Sequence, residues 1–219
     1  MSRRSLVVLF AAVVAAVVVA PIAIARASEL GVMRAPAASA GEPQPDHLDM
    51  TGATPAPQRD GVLALDPTGV PGLFKCRRYR IWSFAAGRYV AEEQDYPGAR
   101  HNMLRARTAA DRVGSWEEFD VCSDDGGHTV YLTAPSGYLV TAEFNYTGSD
   151  RGMLRGRGEW VDVWETFDVW SANGLYYLRN VSRGTYVTCR VDYTGAAYQT
   201  MKATGAGAGS WEALRFDPV

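Results

Sequence analysis

The stretch GRYVAEEQDYPG, residues 87–98, returns as GYLVTAEFNYTG at 137–148 and as GTYVTCRVDYTG at 184–195. The copies begin 50 and 47 residues apart. A hydrophobic–basic–small step follows 17 residues after each opening glycine: Leu104-Arg105-Ala106, Leu154-Arg155-Gly156 and Met201-Lys202-Ala203. Each copy then closes on an aromatic signature, Trp116-Glu117-Glu118-Phe119, Trp164-Glu165-Thr166-Phe167 and Trp211-Glu212-Ala213-Leu214. A period of about 50 residues identifies a repeat architecture, in which no unit buries its apolar face alone and neighbours share a core.

Each copy reads as four short strands. In copy two they are expected at 129–134, 138–143, 153–157 and 165–170, where β-branched and aromatic residues alternate with clusters of Gly, Pro, Asn, Asp and Ser. No segment carries a long 3.6-residue apolar period, so helices should be nearly absent. Twelve strands in three equal units suggest a closed barrel capped by three hairpins, since closure removes sheet edges and lets the units pool one interior.

The G-R-Y-V-A-E run, the L-R-A step and the W-E-x-F closure resemble the fascin-like (actin-crosslinking-like) branch of the β-trefoil superfamily. The resemblance covers 73–219 and nothing before it. Copy one matches best, through Gly87, Tyr89, Val90, Leu104, Ala106, Gly114, Trp116, Glu117 and Phe119. Copy three departs most: Cys189-Arg190 replaces the acidic end of the second strand, and Leu214 the phenylalanine. The resemblance implies an all-β β-trefoil of three pseudo-symmetric four-stranded repeats, about 73–125, 126–173 and 174–219, in a secreted bacterial member. The Q-x-W triplet of ricin-type trefoils is missing, so that branch's sugar residues do not transfer. Eukaryotic members bundle actin, a role at odds with an export signal.

That signal occupies residues 1–27. Arg3 and Arg4 precede an apolar run at 6–25, and Ala25-Arg26-Ala27 fits cleavage before Ser28. An uncleaved anchor is the alternative, because the run is long enough to span a bilayer. Either way the remainder is expected at the outer face or secreted, touching a membrane only through that segment. Residues 28–71, rich in Ala, Pro, Gly and Asp, read as a flexible leader. Residues 72–219 then form one domain with one core. Cleavage would remove three arginines from the 22 basic residues and none of the 24 acidic ones. A mildly acidic chain lacks the footprint of a nucleic-acid binder. Arginine dominates the basic residues, with only Lys75 and Lys202 otherwise, which reads as a GC-rich genome.

Three cysteines in an exported chain invite one disulfide and a remainder. Cys76 precedes the first strand of copy one and Cys122 follows its last. They meet if those strands lie side by side and antiparallel. Cys189 reads as a small buried thiol.

For function, the repeated positions divide by duty. Trp116, Trp164 and Trp211, with Phe119 and Phe167, supply the bulk a closed barrel needs and read as core. Gly87, Gly137 and Gly184 read as turn glycines. The loop pairs Asp95-Tyr96, Asn145-Tyr146 and Asp192-Tyr193 suit a sugar, the ring face taking its apolar side and the oxygen accepting from hydroxyls. Arg105, Arg155 and Lys202 would add a cationic rim. Equally, Asp and Asn could cap the turns while each Tyr folds over the neighbouring copy. Trp160, unrepeated and in a loop, is a candidate anchor for a protein partner. Trp82 and Trp170 read as buried. His47, His101 and His128 have no metal-ligand spacing, and no catalytic motif is present. Glu92, Glu93 and Asp120 are acids that could pair for glycoside hydrolysis only by converging. The expectation is therefore a non-catalytic, monomeric binding module with no cofactor or metal. Its partner would be a glycan or polysaccharide, or alternatively an extracellular protein.

Overall fold

The computed structural model describes residues 42–55 and 75–219. The expected export signal and most of the expected leader lie outside them. The described residues form strands and three-residue 3-10 turns. Among them no helix is long and apolar enough to cross a membrane.

In chain order the strands are β1 (Gln44–Pro45), β2 (Thr54–Pro55), β3 (Lys75–Ser83), β4 (Arg88–Glu93), β5 (Met103–Thr108), β6 (Glu118–Ser123) and β7 (Thr129–Thr133). They continue as β8 (Leu139–Glu143), β9 (Met153–Gly158), β10 (Thr166–Ala172), β11 (Leu175–Asn180), β12 (Thr185–Cys189), β13 (Met201–Gly205) and β14 (Leu214–Pro218). Copy two agrees with expectation to within two residues at every boundary. The sheet closes into a barrel: β3 pairs β6, β6 pairs β7, β7 pairs β10, β10 pairs β11, β11 pairs β14, and β14 returns to β3. Every pairing is antiparallel, and the pleat of each strand sends alternate side chains into the barrel. Tyr79 and Ile81, Phe119 and Val121, Val130 and Leu132, Phe167 and Val169, Leu214 and Phe216 fill one apolar core.

The remaining strands form hairpins β4–β5, β8–β9 and β12–β13. A register shift falls at the same place in each, at Tyr89/Val90, Leu139/Val140 and Tyr186/Val187. The hairpins join in a cycle through Met103↔Arg155, Met153↔Lys202 and Arg105↔Thr200. Gly87, Gly137 and Gly184 turn the chain with φ of 58°, 93° and 62°, a region closed to most side chains.

The register of β3 on β6 sets Cys76 opposite Cys122, and the two are joined by a disulfide. Both lie inside strands rather than beyond their ends. A cross-link over a sequence separation of 46 restrains the unfolded chain by an amount on the order of 4 kcal/mol in the chain-entropy account. Cys189 is fully buried in the core, and burial pushes its thiol up to about 11, which leaves it protonated and inert at neutral pH.

Two expectations are corrected. Residues 42–55 do not behave as a free leader. β1 pairs β10, β2 pairs β3, and Leu48 between them is buried in the barrel core. The Leu48 amide donates to the Gly127 carbonyl at 3.0 Å, and the Tyr79 hydroxyl donates to the Asp49 carbonyl. His47 accordingly sits on the domain, its ring 5.3 Å from that of His128. The reason is local: one leucine among polar residues is enough when a barrel mouth lined by apolar residues receives it.

The second correction concerns the tryptophans. Phe119, Phe167 and Leu214 are core, but Trp116 and Trp211 are each 38% exposed and Trp164 is half-buried. Trp116 lies in a 3-10 turn before β6, and there the glutamate, not the indole, faces inward. Trp82 and Trp170 are also only half-buried, on the outward face of their strands, where Arg215 and Arg179 stack over them.

Candidate functional site

The inward glutamates organise the surface around each tryptophan. Glu117 accepts from the Gly114 amide at 2.6 Å and from the Thr108 hydroxyl at 2.8 Å. Glu165 accepts from the Thr141 hydroxyl at 2.7 Å, and Glu212 from the Gly209 amide at 3.0 Å. Burial raises the carboxyls of Glu165 and Glu212, while the hydrogen bonds act against it. Each glutamate thus braces the loop before the closing strand, Glu117 and Glu165 tying it to the hairpin strands β5 and β8, and the neighbouring indole is left facing outward.

Two clefts open there. The copy-one cleft, about 800 Å³, is lined by Arg88, Arg107, Thr108, Asp111, Arg112 and Trp116 among others. The copy-two cleft, about 450 Å³, is lined by Thr141, Arg157, Gly158, Glu159, Trp160 and Trp164 among others. Arg107 and Arg157, Thr108 and Gly158, Trp116 and Trp164 occupy corresponding places in the repeat. The two arginines are held alike. Arg107 donates to both oxygens of Glu93, at 3.0 and 2.9 Å, and the Arg157 guanidinium lies 3.2 Å from the Glu143 carboxylate. Copy three keeps Trp211 but has Thr204 where the arginine would be, and Arg190 where the acid would be.

The tyrosine loops are arranged otherwise. Asp95, Asn145 and Asp192 are exposed, and Tyr96, Tyr146 and Tyr193 half-buried, alike in all three copies. Arg105 donates to the Tyr96 hydroxyl at 2.9 Å and Arg155 to the Tyr146 hydroxyl at 2.8 Å. In copy three the Lys202 ammonium instead lies 5.2 Å from the Tyr193 ring centroid, and Arg190 covers that ring at 4.1 Å. The same cations also reach another copy: Arg105 to the Tyr198 carbonyl at 3.1 Å, Arg155 to that of Ala99 at 2.7 Å, Lys202 to that of Ser149 at 2.8 Å. Lys202 is 2% exposed and the Arg105 and Arg155 side chains 12% and 14%. They therefore form no rim; their charge is turned inward and fixes one copy to the next.

Trp160 is the most exposed indole, at 59%. The acids considered for hydrolysis are separately engaged: Glu92 with Ser136, Glu93 with Arg107, and Asp120 with Arg78. The tryptophan clefts are not evident from the sequence, where indole hydrophobicity points to the core. A signal was present in Gly114-Ser115-Trp116 and Gly209-Ser210-Trp211, where turn residues precede the ring.

No family model matches the chain, and no curated protein matches it. Solved structures do. The chain is similar to ThreeFoil, a designed 3-fold symmetric protein, with TM-score 0.53 and 14% identity over 65% of this chain and 99% of that one. It is similar to a salivary protein from Culex quiquefasciatus of the Cysteine and Tryptophan-Rich family, with TM-score 0.51 and 13% identity over 72% of this chain and 99% of that one. A third likeness is to the GlcNAcα1-4Gal-releasing endo-β-galactosidase of Clostridium perfringens, with TM-score 0.51 and 11% identity over 65% of this chain but 32% of the enzyme. At such identities the likeness is one of fold, and the fold is that of the β-trefoil proteins.

Proposed function

We propose that this protein is an exported, non-catalytic carbohydrate-binding module, a fascin-like β-trefoil whose three repeats each contribute four strands to a barrel with a hairpin cap. The observation that carries the reading is the recurrence, at repeat-related places, of a cleft combining an outward indole with an anchored arginine. An indole face receives the apolar side of a sugar ring, and guanidinium N–H groups donate to its hydroxyls. Related weak sites on one domain give avidity for a polymer that a single site would not hold. The galactosidase adds support, since there the matching fold is part of an enzyme that acts on a glycan. Export is supported by the basic, apolar and Ala-x-Ala pattern of residues 1–27 and by the disulfide.

The test is retention of the full chain on insoluble polysaccharides, beside a soluble glycan array, with Trp116→Ala and Trp164→Ala variants. Loss of retention with an unchanged melting temperature supports the clefts. Retention that survives both substitutions moves the site to the tyrosine loops. A second reading, a protein-binding module, is favoured by one asymmetry: Trp160 and Val163 stand 59% and 45% exposed in copy two, with no counterpart in copies one and three. Silence toward every glycan favours it.

A further inference from the structure

The two clefts are related in position but opposed in charge. In copy two, Arg157 shares the cleft with Glu159, Asp162 and Glu165. In copy one, Arg88, Arg107 and Arg112 share the cleft with Asp111 and Glu117. Glu117 is turned inward and bonded to the Gly114 amide and the Thr108 hydroxyl. Arg107 is held by Glu93. Arg88 donates to the carbonyl of its neighbour Gly87 at 3.0 Å, and Arg112 and Arg88 have no ion pair among the described residues. The fold does not require this charge, because copy two carries Tyr138 where copy one carries Arg88. Nor does the composition, which leaves the chain at a formal charge of −2. Guanidinium groups are planar forks that match a carboxylate with paired hydrogen bonds, and an indole wall beside them accepts a sugar ring.

We propose that the copy-one cleft binds the carboxylate of an acidic sugar, a uronic acid unit. Arg88 and Arg112 take the carboxylate, and Trp116 packs on the ring. The copy-two cleft, rich in acids, refuses that ligand by like-charge repulsion. This inference rests on the carbohydrate reading above and narrows it to a substrate class.

The experiment is an NMR titration of the full chain, read at the indole N–H signals, with three probes: a galacturonate trisaccharide, its methyl ester and a sulfated neutral trisaccharide. The acid perturbs the Trp116 indole and not the Trp164 indole. The ester, and the Arg88→Gln/Arg112→Gln double variant toward the acid, bind at least about ten-fold more weakly, as expected for lost charge-assisted bonds. Both arginines are exposed, so the double variant keeps its melting temperature. Equal binding of acid and ester, with loss in Trp116→Ala, overturns the acidic-sugar inference and leaves the module reading intact. Sulfated sugar binding as tightly as the acid overturns the choice of carboxylate. No binding by any probe overturns the inference, and the polysaccharide retention assay then decides the wider reading alone.

Discussion

Gly156 leaves open the space that the Glu92 carboxyl occupies: a Cβ at 156 would collide with Glu92 Oε1. The two belong to different copies. The same step around the repeat relates Ala142 to Ala203 and Cys189 to Ala106, so the largest side chain of the set faces the smallest. Glu92 is fully buried, and it accepts from the Ser136 amide and hydroxyl, each at 2.6 Å. Gly156→Ala should therefore cost about 1–3 kcal/mol by overpacking. In a Glu92→Ala background the same substitution should cost far less, because the pair then matches Ala142 and Ala203. Urea unfolding of the four proteins of this cycle gives the coupling, and additivity would show that the two side chains do not compete for space.

The tyrosine loops make a graded prediction. Tyr96→Phe and Tyr146→Phe each remove an acceptor from a guanidinium and should cost about 1 kcal/mol. Tyr193→Phe should cost almost nothing, since its cations face the ring and not the hydroxyl. Equal effects in all three copies would assign the hydroxyls a role outside packing. Glycan retention measured on the same variants shows whether these loops also touch ligand.

Trp116 and Phe119 stand three residues apart with opposite duties. Phe119→Ala should lose about 3–5 kcal/mol from a fully buried position. Trp116→Ala should lose much less stability and abolish retention at the copy-one cleft. Thermal unfolding paired with the retention assay separates the two.

Leu48→Ala should destabilise the domain by about 2–5 kcal/mol although it lies far from the repeats in sequence. Gly127→Ala should be similarly damaging. Its φ is +98°, and a Cβ there would press on the Leu48 backbone. A denaturation midpoint unmoved by Leu48→Ala would mean that residues 42–55 are dispensable to the barrel.

Burial pushes the Lys202 ammonium down to about 8, with Arg190 acting in the same direction. Between that value and its ordinary 10.5 the unfolded chain holds a proton that the folded chain has released. Stability attributable to this group therefore rises with pH across that window. Compared with Lys202→Met, the wild type should gain stability as pH rises from about 8 to about 10.5. Denaturant titrations of the pair at several pH values check this; a constant difference would refute it.

The barrel strands were legible because inward and outward residues alternate, as at Tyr79, Ile81 and Ser83. Cys76 and Cys122 were legible for a related reason: antiparallel neighbours bring distant ends together. The tryptophan clefts were not. In W-E-x-F the buried glutamate is satisfied by the Gly114 amide of its own loop and the Thr108 hydroxyl of the hairpin, and composition alone ranks indole above carboxylate for burial. Leu48 was invisible as well, because a single anchor in a run of Asp, Pro and Gly carries no periodicity. The cations of the L-R-A step stand out in the sequence as a set, but these acceptors are backbone carbonyls, which no side-chain pattern announces.

Those carbonyls have a consequence for how the copies depend on one another. Copy two reaches back to copy one through Arg155, copy three to copy two through Lys202, and copy one to copy three through Arg105. One unit cut out of the chain would carry a donor with nowhere to point and an acceptor left waiting, the complementary ends of a self-assembling peptide. Three copies satisfy one another around a ring, so the circuit closes only when all three are present.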